Sequence, residues 1–311
     1  MGNPPFALPS LKRLVDDGHH VLAVVTNPDR PAGRGRKLKP PEAKVLAQQL
    51  GLAVYQPLKL SDGDFIAALM ALRPELFVVV AFRILPRRLL EIPSRGSINV
   101  HASLLPKYRG AAPINWAIIN GEVETGITVF FLEPQVDTGD IVLQRRHGIP
   151  PEITFGELHD ELSELGAEAL SEALKQIESG SVRPLVQEDE YATAAPKITP
   201  EIRNIDFGNP RSEVANLIRG LSPEPGAVTN FRGKIVKILK AKPNCGAVSE
   251  SPGTLKIGDA GKGVLVACAD GYVEIITIQV EGKRVMTGSE FLNGYHPRGG
   301  ELMGDATAQN F

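Results

Sequence analysis

The chain has 311 residues, of which 42% are hydrophobic and 23% are charged, and its formal net charge is −2. This balance excludes a largely disordered chain, and the length suits two domains of roughly 150 residues each. The two cysteines, Cys245 and Cys268, form no disulfide framework, no apolar run approaches the ~18 residues of a membrane span, and no signal-peptide pattern opens the chain. We therefore expect a cytoplasmic protein without membrane attachment.

Helix-like and strand-like segments alternate over the first part of the chain. In chain order, the predicted elements are helix 11–17, strand 20–26, helix 41–50, strand 53–55, helix 64–72, strands 76–82, 96–101 and 128–132, and helix 154–178. Residues 76–82 (LFVVVAF) are continuously apolar, which is typical of a parallel strand covered on both faces. The alternation predicts an α/β fold with a doubly wound parallel sheet, which we assign to residues 1–180.

The pattern changes after Gly180. Residues 181–200 show little periodicity and are predicted to be a linker. Further elements follow in the order helix 212–221, strands 227–231, 235–241, 253–257, 263–268 and 271–278, and helix 289–295. Short strands separated by Gly and Pro are typical of a small antiparallel barrel, which we assign to residues 201–303, with 304–311 as a flexible tail.

The beginning of the chain lacks an expected element. It starts MGNPPFALP, directly with a turn-forming Gly-Asn-Pro-Pro segment. A doubly wound domain normally begins with a strand that leads into such a loop. We therefore expect the first strand to be missing, and we expect an added apolar segment to raise stability, because a lost central strand leaves backbone groups unpaired.

Two polar residues end the strand predicted at 96–101. Asn99 and His101 are two residues apart and so point to the same face of that strand. Ligands of open α/β sheets bind at the carboxyl ends of strands, so the pair is a candidate site. A polar pair that only caps the strand is an equally weighted alternative. The next segment, 103–113, is a shaped loop, either a rigid connection or a wall against a flat ligand.

A carboxylate follows in the motif VDTGD at 136–140. Asp137 lies in a loop after the strand at 128–132, and the motif alone favours a turn-forming role. An aspartic protease is excluded because it needs a second such carboxylate, which the chain lacks. The scattered histidines and cysteines predict no metal site, and neither GxGxxG nor a P-loop occurs.

One segment is strongly basic. Residues 30–39 (RPAGRGRKLK) carry five cations and no acid. Because the net charge is near zero, any polyanion would have to meet a local surface such as this one. A solvated loop is the alternative, but arginines spaced by glycines are suited to follow a phosphate backbone.

These motifs together resemble those of a known enzyme family. INVHASLLPKYRGAAPINWAIINGEVETGIT and VDTGD are similar to the signature of folate-dependent formyltransferases, and NPDRPAGRGRKLKP is similar to the basic loop of their tRNA-specific branch. AAPKITPEIRNIDF and SPEPGAVT resemble that branch's linker and the start of its C-terminal domain. The similarity extends from about Gly2 to about Tyr295, so the chain is identified as a member of the methionyl-tRNA formyltransferases.

The resemblance implies a Rossmann-like catalytic domain and a C-terminal OB-like β-barrel. It implies formyl transfer from 10-formyltetrahydrofolate to the amino group of methionine on initiator tRNA, by a monomer and without a metal. The implied catalytic residues are Asn99, His101 and Asp137. The implied folate contacts are Ser103, Leu104, Leu105 and Pro106, and the implied tRNA contacts are Arg34, Arg36, Lys37 and Lys39.

Two other functions stay open. A formyltransferase acting on a small amine, such as a nucleotide sugar or glycinamide ribonucleotide, would need the same three catalytic residues. An RNA-binding module with an inactive Rossmann-like domain would not need them. The basic segment and the C-terminal barrel favour tRNA over a small amine, and the joint presence of the three residues favours an enzyme.

Overall fold

The computed structural model describes residues 1–3, 5–32, 37–258 and 263–304, which form two compact units. The first comprises Met1–Pro113, Glu124–Gly148 and His159–Pro196, and the second comprises Ile114–Val123, Ile149–Leu158 and Lys197–Phe311. No helix among the described residues is both long enough and apolar enough to cross a membrane.

The first unit alternates strands and helices as expected. Its helices are α1 (Leu8–Asp16), α2 (Glu42–Gln49), α3 (Gly63–Ala71) and α4 (Arg87–Leu90), and its strands are β1 (Val24–Val25), β2 (Arg30–Ala32), β3 (Lys37–Lys39), β4 (Val54–Tyr55), β5 (Phe77–Val80), β6 (Ser97–His101), β7 (Arg109–Gly110), β8 (Glu124–Phe131), β9 (Ile141–Gly148) and β10 (Ala194–Ala195). Helices α5 (Pro113–Ile119) and α6 (Phe155–Ser179) contribute residues to both units.

The main sheet of this unit is mixed, and the prediction of a fully parallel sheet is wrong. Its strand order is β5-β6-β8-β9, and a separate pair joins β1 to β4. The β5–β6 and β1–β4 pairs are parallel, whereas β8 runs antiparallel to β6 and β9 runs antiparallel to β8. The connection at 132–140 holds no crossover helix, so β9 can return only as an antiparallel neighbour. Strand β9 has no clear strand pattern in the sequence, because the second half of this edge strand is polar and largely exposed.

The predicted strand at 20–26 is largely unformed. Only Val24–Val25 pairs as β1, although residues 21–23 belong to the same apolar run. On the side facing β5, the neighbour of β1 is the first two residues of the chain. Gly2 N donates to Val25 O (3.0 Å), Val80 N donates to Met1 O (2.9 Å), and Gly2 bridges Val80 in parallel. Met1 and Gly2 thus form a two-residue stub between β1 and β5.

A cavity of about 440 Å³ lies beside this stub. It is lined by residues 19–25 and 72–78, together with side chains from α1 and from the C-terminal part of α6. The Met1 amine is buried there, 2.5 Å from Val78 O, and burial lowers the pKa of this amine to about 5. The lining includes residues 19–23, which precede β1, and 72–76, which precede β5, so a strand segment between them would have two neighbours to pair with.

We expect an apolar extension to fill this space. Adding Ile-Val-Ile-Val before Met1 would span roughly 13 Å at ~3.3 Å per residue, pair with both flanking strands and replace the buried amine with an amide. The melting temperature should rise by several degrees, since ~1 kcal/mol shifts Tm by ~2–4 °C at 150–250 residues. The measurement is a thermal melt of both forms.

A Gly-Ser-Gly-Ser extension of equal length serves as the control, because it supplies backbone but almost no apolar surface. Equal midpoints and equal activity for the native and Ile-Val-Ile-Val forms would show that the domain does not need the segment.

The second unit is built around an antiparallel sheet. Its elements are α7 (Arg211–Gly220), β11 (Ala227–Phe231), β12 (Lys234–Asn244), β13 (Leu255–Ile257), β14 (Val264–Cys268), β15 (Gly271–Val280), β16 (Met286–Thr287) and α8 (Gly288–Tyr295), and the strand order is β11-β12-β15-β14-β13 with β16 on β15. Each predicted helix and strand after residue 200 has a counterpart here. The buried side chains of Ile218, Val236, Val273 and Phe291 belong to one core.

Candidate active site

Strand β6 positions the first two candidate residues. Asn99 pairs in register with Val79 of β5 and Phe130 of β8, and His101 ends the strand two residues later. The His101 ring is 6% exposed, whereas Asn99 is half-buried. No hydrogen-bond partner for the Asn99 carboxamide occurs among the described residues, so its N–H groups can serve a ligand.

Both nitrogens of the His101 ring face an acceptor. Nε2 lies 2.9 Å from Tyr108 O and donates to it, while Nδ1 lies 3.7 Å from Asp137 Oδ2. The second distance is too long for a direct hydrogen bond but places the carboxylate within ion-pair range. The ring also packs edge-on against Phe130, with ring centroids 6.4 Å apart. The hydrogen bond to Tyr108 O and the packing against Phe130 therefore fix the imidazole beside the Asp137 carboxylate.

Asp137 reaches His101 from the loop between β8 and β9. Its backbone has φ +56°, which few residues other than glycine adopt, and its Oδ2 accepts from Gly110 N (2.8 Å). Glycine is needed at position 139, because a Cβ there would lie 1.8 Å from Phe131 O. The VDTGD motif therefore encodes a tight loop that presents one buried carboxylate.

A residue that the sequence analysis missed holds this loop from behind. Gln187 Nε2 donates to Asp137 O (3.0 Å) and Gly139 O (2.8 Å), while its Oε1 accepts from Arg109 Nε (3.1 Å) and Nη2 (2.7 Å). Gln187 lies in the segment predicted to be a linker, where no periodicity or motif distinguishes it. The same segment supplies β10, which pairs with β7 beside the site.

The predicted folate loop, 103–106, is fixed from its inner side. Ser103 is fully buried, and its hydroxyl donates to Lys107 O (2.6 Å). Thr128 Oγ1 donates to Ser103 O (2.7 Å) and accepts from Leu105 N (3.1 Å). Gln144 Nε2 donates to Leu105 O (2.8 Å). The loop is thus held at three backbone positions by two side chains and by its own serine.

The four loop residues differ in what they can offer a ligand. Leu105 packs in a buried cluster with Phe130 and Ile141, so its side chain points into the protein. Ser103 is buried as well, whereas Leu104 and Pro106 are half-buried. The latter two are the side chains of this loop that a ligand can reach most easily.

The basic segment forms a hairpin in its described parts. Strands β2 and β3 pair antiparallel, with Arg30 opposite Lys39. Lys39 is exposed, and Lys37 lies within β3. Arg34 and Arg36 fall outside the described residues.

The root of this hairpin is anchored. The Asp29 carboxylate accepts from Lys44 Nζ (2.8 Å) and from Gln56 Nε2 (2.8 Å). These two hydrogen bonds, led by that from Lys44, hold the pKa of Asp29 below its usual range. The predicted tRNA contacts therefore extend from a fixed base.

The donor set of the site suits an organic ligand. Around Asn99 the structure offers carboxamide, imidazole and carboxylate groups, which can bind and orient an amide or amine by hydrogen bonds. Among the described residues, no group of three or more His, Cys, Asp or Glu side chains could hold a metal ion.

Comparison with known proteins assigns the family. The family model described as "Formyl transferase" matches residues 1–174, and "Formyl transferase, C-terminal domain" matches residues 197–296. The chain belongs to the formyl transferase family. This confirms the family membership and the Rossmann-like first domain with a C-terminal domain that the sequence predicted.

The curated relatives are similar over nearly their full length. The methionyl-tRNA formyltransferase of Moorella thermoacetica is 46% identical over 306 residues, covering 98% of both chains. That of Caldanaerobacter subterraneus subsp. tengcongensis is 48% identical over 306 residues, covering 97% of this chain and 98% of the relative.

The solved structures agree in fold. WlaRD, a sugar 3N-formyltransferase crystallised with dTDP and 5-N-formyl-THF, aligns with a TM-score of 0.66 at 20% identity, covering 91% of this chain and 97% of that one. The N-formyltransferase of Helicobacter canadensis, in complex with folinic acid and dTDP-3-aminofucose, aligns with a TM-score of 0.63 at 21% identity, covering 88% and 96%. At such identities the likeness concerns the fold alone.

Proposed function

We propose that this protein transfers a formyl group from 10-formyltetrahydrofolate to the free amino group of methionyl-initiator tRNA, giving N-formylmethionyl-tRNA for translation initiation. The observation that carries the proposal is the meeting of His101 with Asp137 on the strand end that holds Asn99, whose carboxamide has no hydrogen-bond partner among the described residues, in a member of the formyl transferase family. Near-full-length similarity to methionyl-tRNA formyltransferases supports the tRNA acceptor.

Asn99 has the clearest chemical role. In the overall reaction the amino nitrogen bonds to the formyl carbon, and the bond from that carbon to the folate nitrogen breaks. Negative charge develops on the formyl oxygen, and Asn99 donates an N–H to it. A preorganised donor of this kind is worth ~3 kcal/mol. Because a carboxamide does not titrate, Asn99 only donates and orients.

Asp137 and His101 take part in the two proton transfers of the reaction. Asp137 accepts the proton that the attacking amine loses, directly or through a water molecule, and the folate nitrogen gains one from His101 or from water. An imidazolium at His101 would place its positive charge 3.7 Å from Asp137 Oδ2 and stabilise that carboxylate. Because Nε2 is bound to Tyr108 O, direct donation to the formyl oxygen requires exchange of that hydrogen bond.

The folate co-substrate is assigned to the 103–106 loop. Leu104 and Pro106 supply apolar contact for its flat ring system, and Ser103 and Leu105 contribute through the backbone geometry that their buried side chains maintain. The tRNA is assigned to the hairpin, through Arg34, Arg36, Lys37 and Lys39.

The domain boundaries, the barrel, the oligomeric state and the cellular location also belong to the proposal. We assign residues 1–180 to the catalytic domain, 181–200 to the linker and 201–303 to an OB-like barrel domain; the predicted tail, 304–311, lies outside the described residues after Gly304. The barrel is supported by the antiparallel order of the second unit and by the irregular register of β12 around Lys240, since such bulges bend strands. The protein acts as a monomer in the cytoplasm, and its mass in solution tests the first point.

The acceptor is tested by offering three amines with the same formyl donor. Methionyl-initiator tRNA, glycinamide ribonucleotide and an amino-sugar nucleotide are each incubated with 10-formyltetrahydrofolate, and formylated product is measured. Product on the tRNA alone is expected. Product on a small amine alone would select the other formyltransferase function, and tRNA binding without product would select an RNA-binding module.

Loss of any one catalytic side chain should reduce turnover while leaving the fold nearly intact. Asn99→Ala, His101→Ala and Asp137→Ala should each lower kcat by on the order of 100-fold or more, because each removes a charge-stabilising or proton-transferring group. Steady-state kinetics and thermal melts are the measurements. His147→Ala is the matched control, since His147 lies on the edge strand β9 and pairs with Glu161. Near-native turnover in folded Asn99→Ala would exclude the role given to Asn99.

Binding of tRNA should protect the hairpin from trypsin. Its glycine-rich sequence predicts that trypsin cuts first near Arg34, Arg36 or Lys37, and bound tRNA should shield these bonds. Arg34→Ala should weaken use of tRNA, leave folate affinity unchanged and flatten the salt dependence of tRNA binding by ~1 in slope per lost phosphate contact.

Arg88→Ala, which removes an exposed arginine of α4, is the control for the loss of one positive charge. Cleavage that saturating tRNA leaves unchanged, together with a native salt slope in Arg34→Ala, would show that the hairpin has no part in recognition.

A further inference from the structure

The Asp137 loop needs support from outside itself. Asp137 lies outside regular secondary structure, and its φ of +56° is costly for a residue with a side chain. Strain of this kind, of order 1–3 kcal/mol, persists only where the surroundings determine the conformation. If Asp137 acts as the proposed function requires, a neighbouring residue must supply that support.

Gln187 is placed to supply it. Its Nε2 donates to Asp137 O and to Gly139 O, so one amide group ties the loop together on both sides of residue 138. The side chain is 7% exposed, so these hydrogen bonds compete little with water. Without them, two loop carbonyls would lose their only described side-chain donor.

Arg109 decides which way the Gln187 amide points. Its Nε and Nη2 both lie within hydrogen-bond distance of Oε1, and a guanidinium can only donate. The amide oxygen must therefore face Arg109, and the NH₂ group must face the loop. Asp189 holds Arg109 in turn, with 2.8 Å between Oδ1 and Nη2.

A closed set of contacts links Gln187, Arg109, Gly110 and the Asp137 loop. Gly110, which follows Arg109 in β7, donates its N–H to Asp137 Oδ2. The same short strand thus orients Gln187 through a side chain and receives Asp137 through its backbone. We propose that Gln187 is a positioning residue: it holds the Asp137 carboxylate in line with Gly110 N and His101 and so sets the rate of formyl transfer without touching substrate.

Two substitutions separate the contacts. Gln187→Met keeps the size but removes all four hydrogen bonds, while Gln187→Glu can still accept from Arg109 but cannot donate to the loop. If the loop contacts matter, both variants should lower kcat by ~10- to 100-fold, the effect of a catalytic group misplaced by ~1 Å. The KM for each substrate should change by less than about threefold, because the binding surfaces stay in place.

A double variant tests whether Gln187 acts through Asp137. In an Asp137→Asn background, Gln187→Met should cause little further loss of kcat, since the group that it positions is already gone. A purely structural role would instead reduce activity by the same factor in both backgrounds.

A substrate-free readout keeps this inference distinct from the proposed function. Hydrogen exchange at Gly110 N–H should be slow in the native protein and faster in Gln187→Met, because the Asp137 carboxylate no longer covers it. Ser171→Ala is the control. Ser171 is buried on α6, and its hydroxyl donates a hydrogen bond to Asp17. Removing this hydroxyl should lower stability without changing Gly110 exchange or kcat.

Native turnover and native Gly110 exchange in Gln187→Met would overturn the proposal, as would native turnover in Gln187→Glu. If Gln187→Met does not fold, Gln187→Glu carries the same test. A native enzyme that makes no product on tRNA would contradict the proposed function, while faster Gly110 exchange in the variants would still support the role of Gln187.

Discussion

The hydrogen bond from Gly110 N to Asp137 Oδ2 joins the two loops on which the site depends. One loop follows β6 and carries the 103–106 segment, and the other connects β8 to β9 and carries the carboxylate. His101 connects to both, through Tyr108 O on one side and Asp137 on the other. This part-buried hydrogen bond thus helps to hold the imidazole and the carboxylate as a pair.

The surroundings of this contact explain why a mixed sheet carries the site. Because β8 runs antiparallel to β6, the Thr128 side chain of β8 reaches back to the backbone of the 103–106 loop. Gln144 of β9 reaches the same loop from one strand further out. A parallel neighbour would need a crossover helix, whereas the β8–β9 hairpin brings two polar side chains beneath the loop within a short stretch of chain.

The other end of the sheet has a contrasting arrangement. Between β1 and β5 the backbone hydrogen bonds depend on two residues, Met1 and Gly2, and a cavity of about 440 Å³ continues beyond them. None of Asn99, His101 and Asp137 lines this cavity. The candidate catalytic residues and this cavity are therefore separate features of the first unit.

Sequence alone was sufficient for the family, for the placement of Asn99 and His101 on one strand and of Asp137 in a loop, and for nearly every helix and strand of the second unit, because these depend on local periodicity and short motifs. Three features needed the tertiary structure. The direction of β8 depends on strand pairing, the short extent of β1 depends on which segments lie beside it, and the role of Gln187 depends on contacts 48 to 78 residues away in the chain. A buried amide that bonds backbone carbonyls has no local sequence pattern, because its partners are defined only by the folded chain.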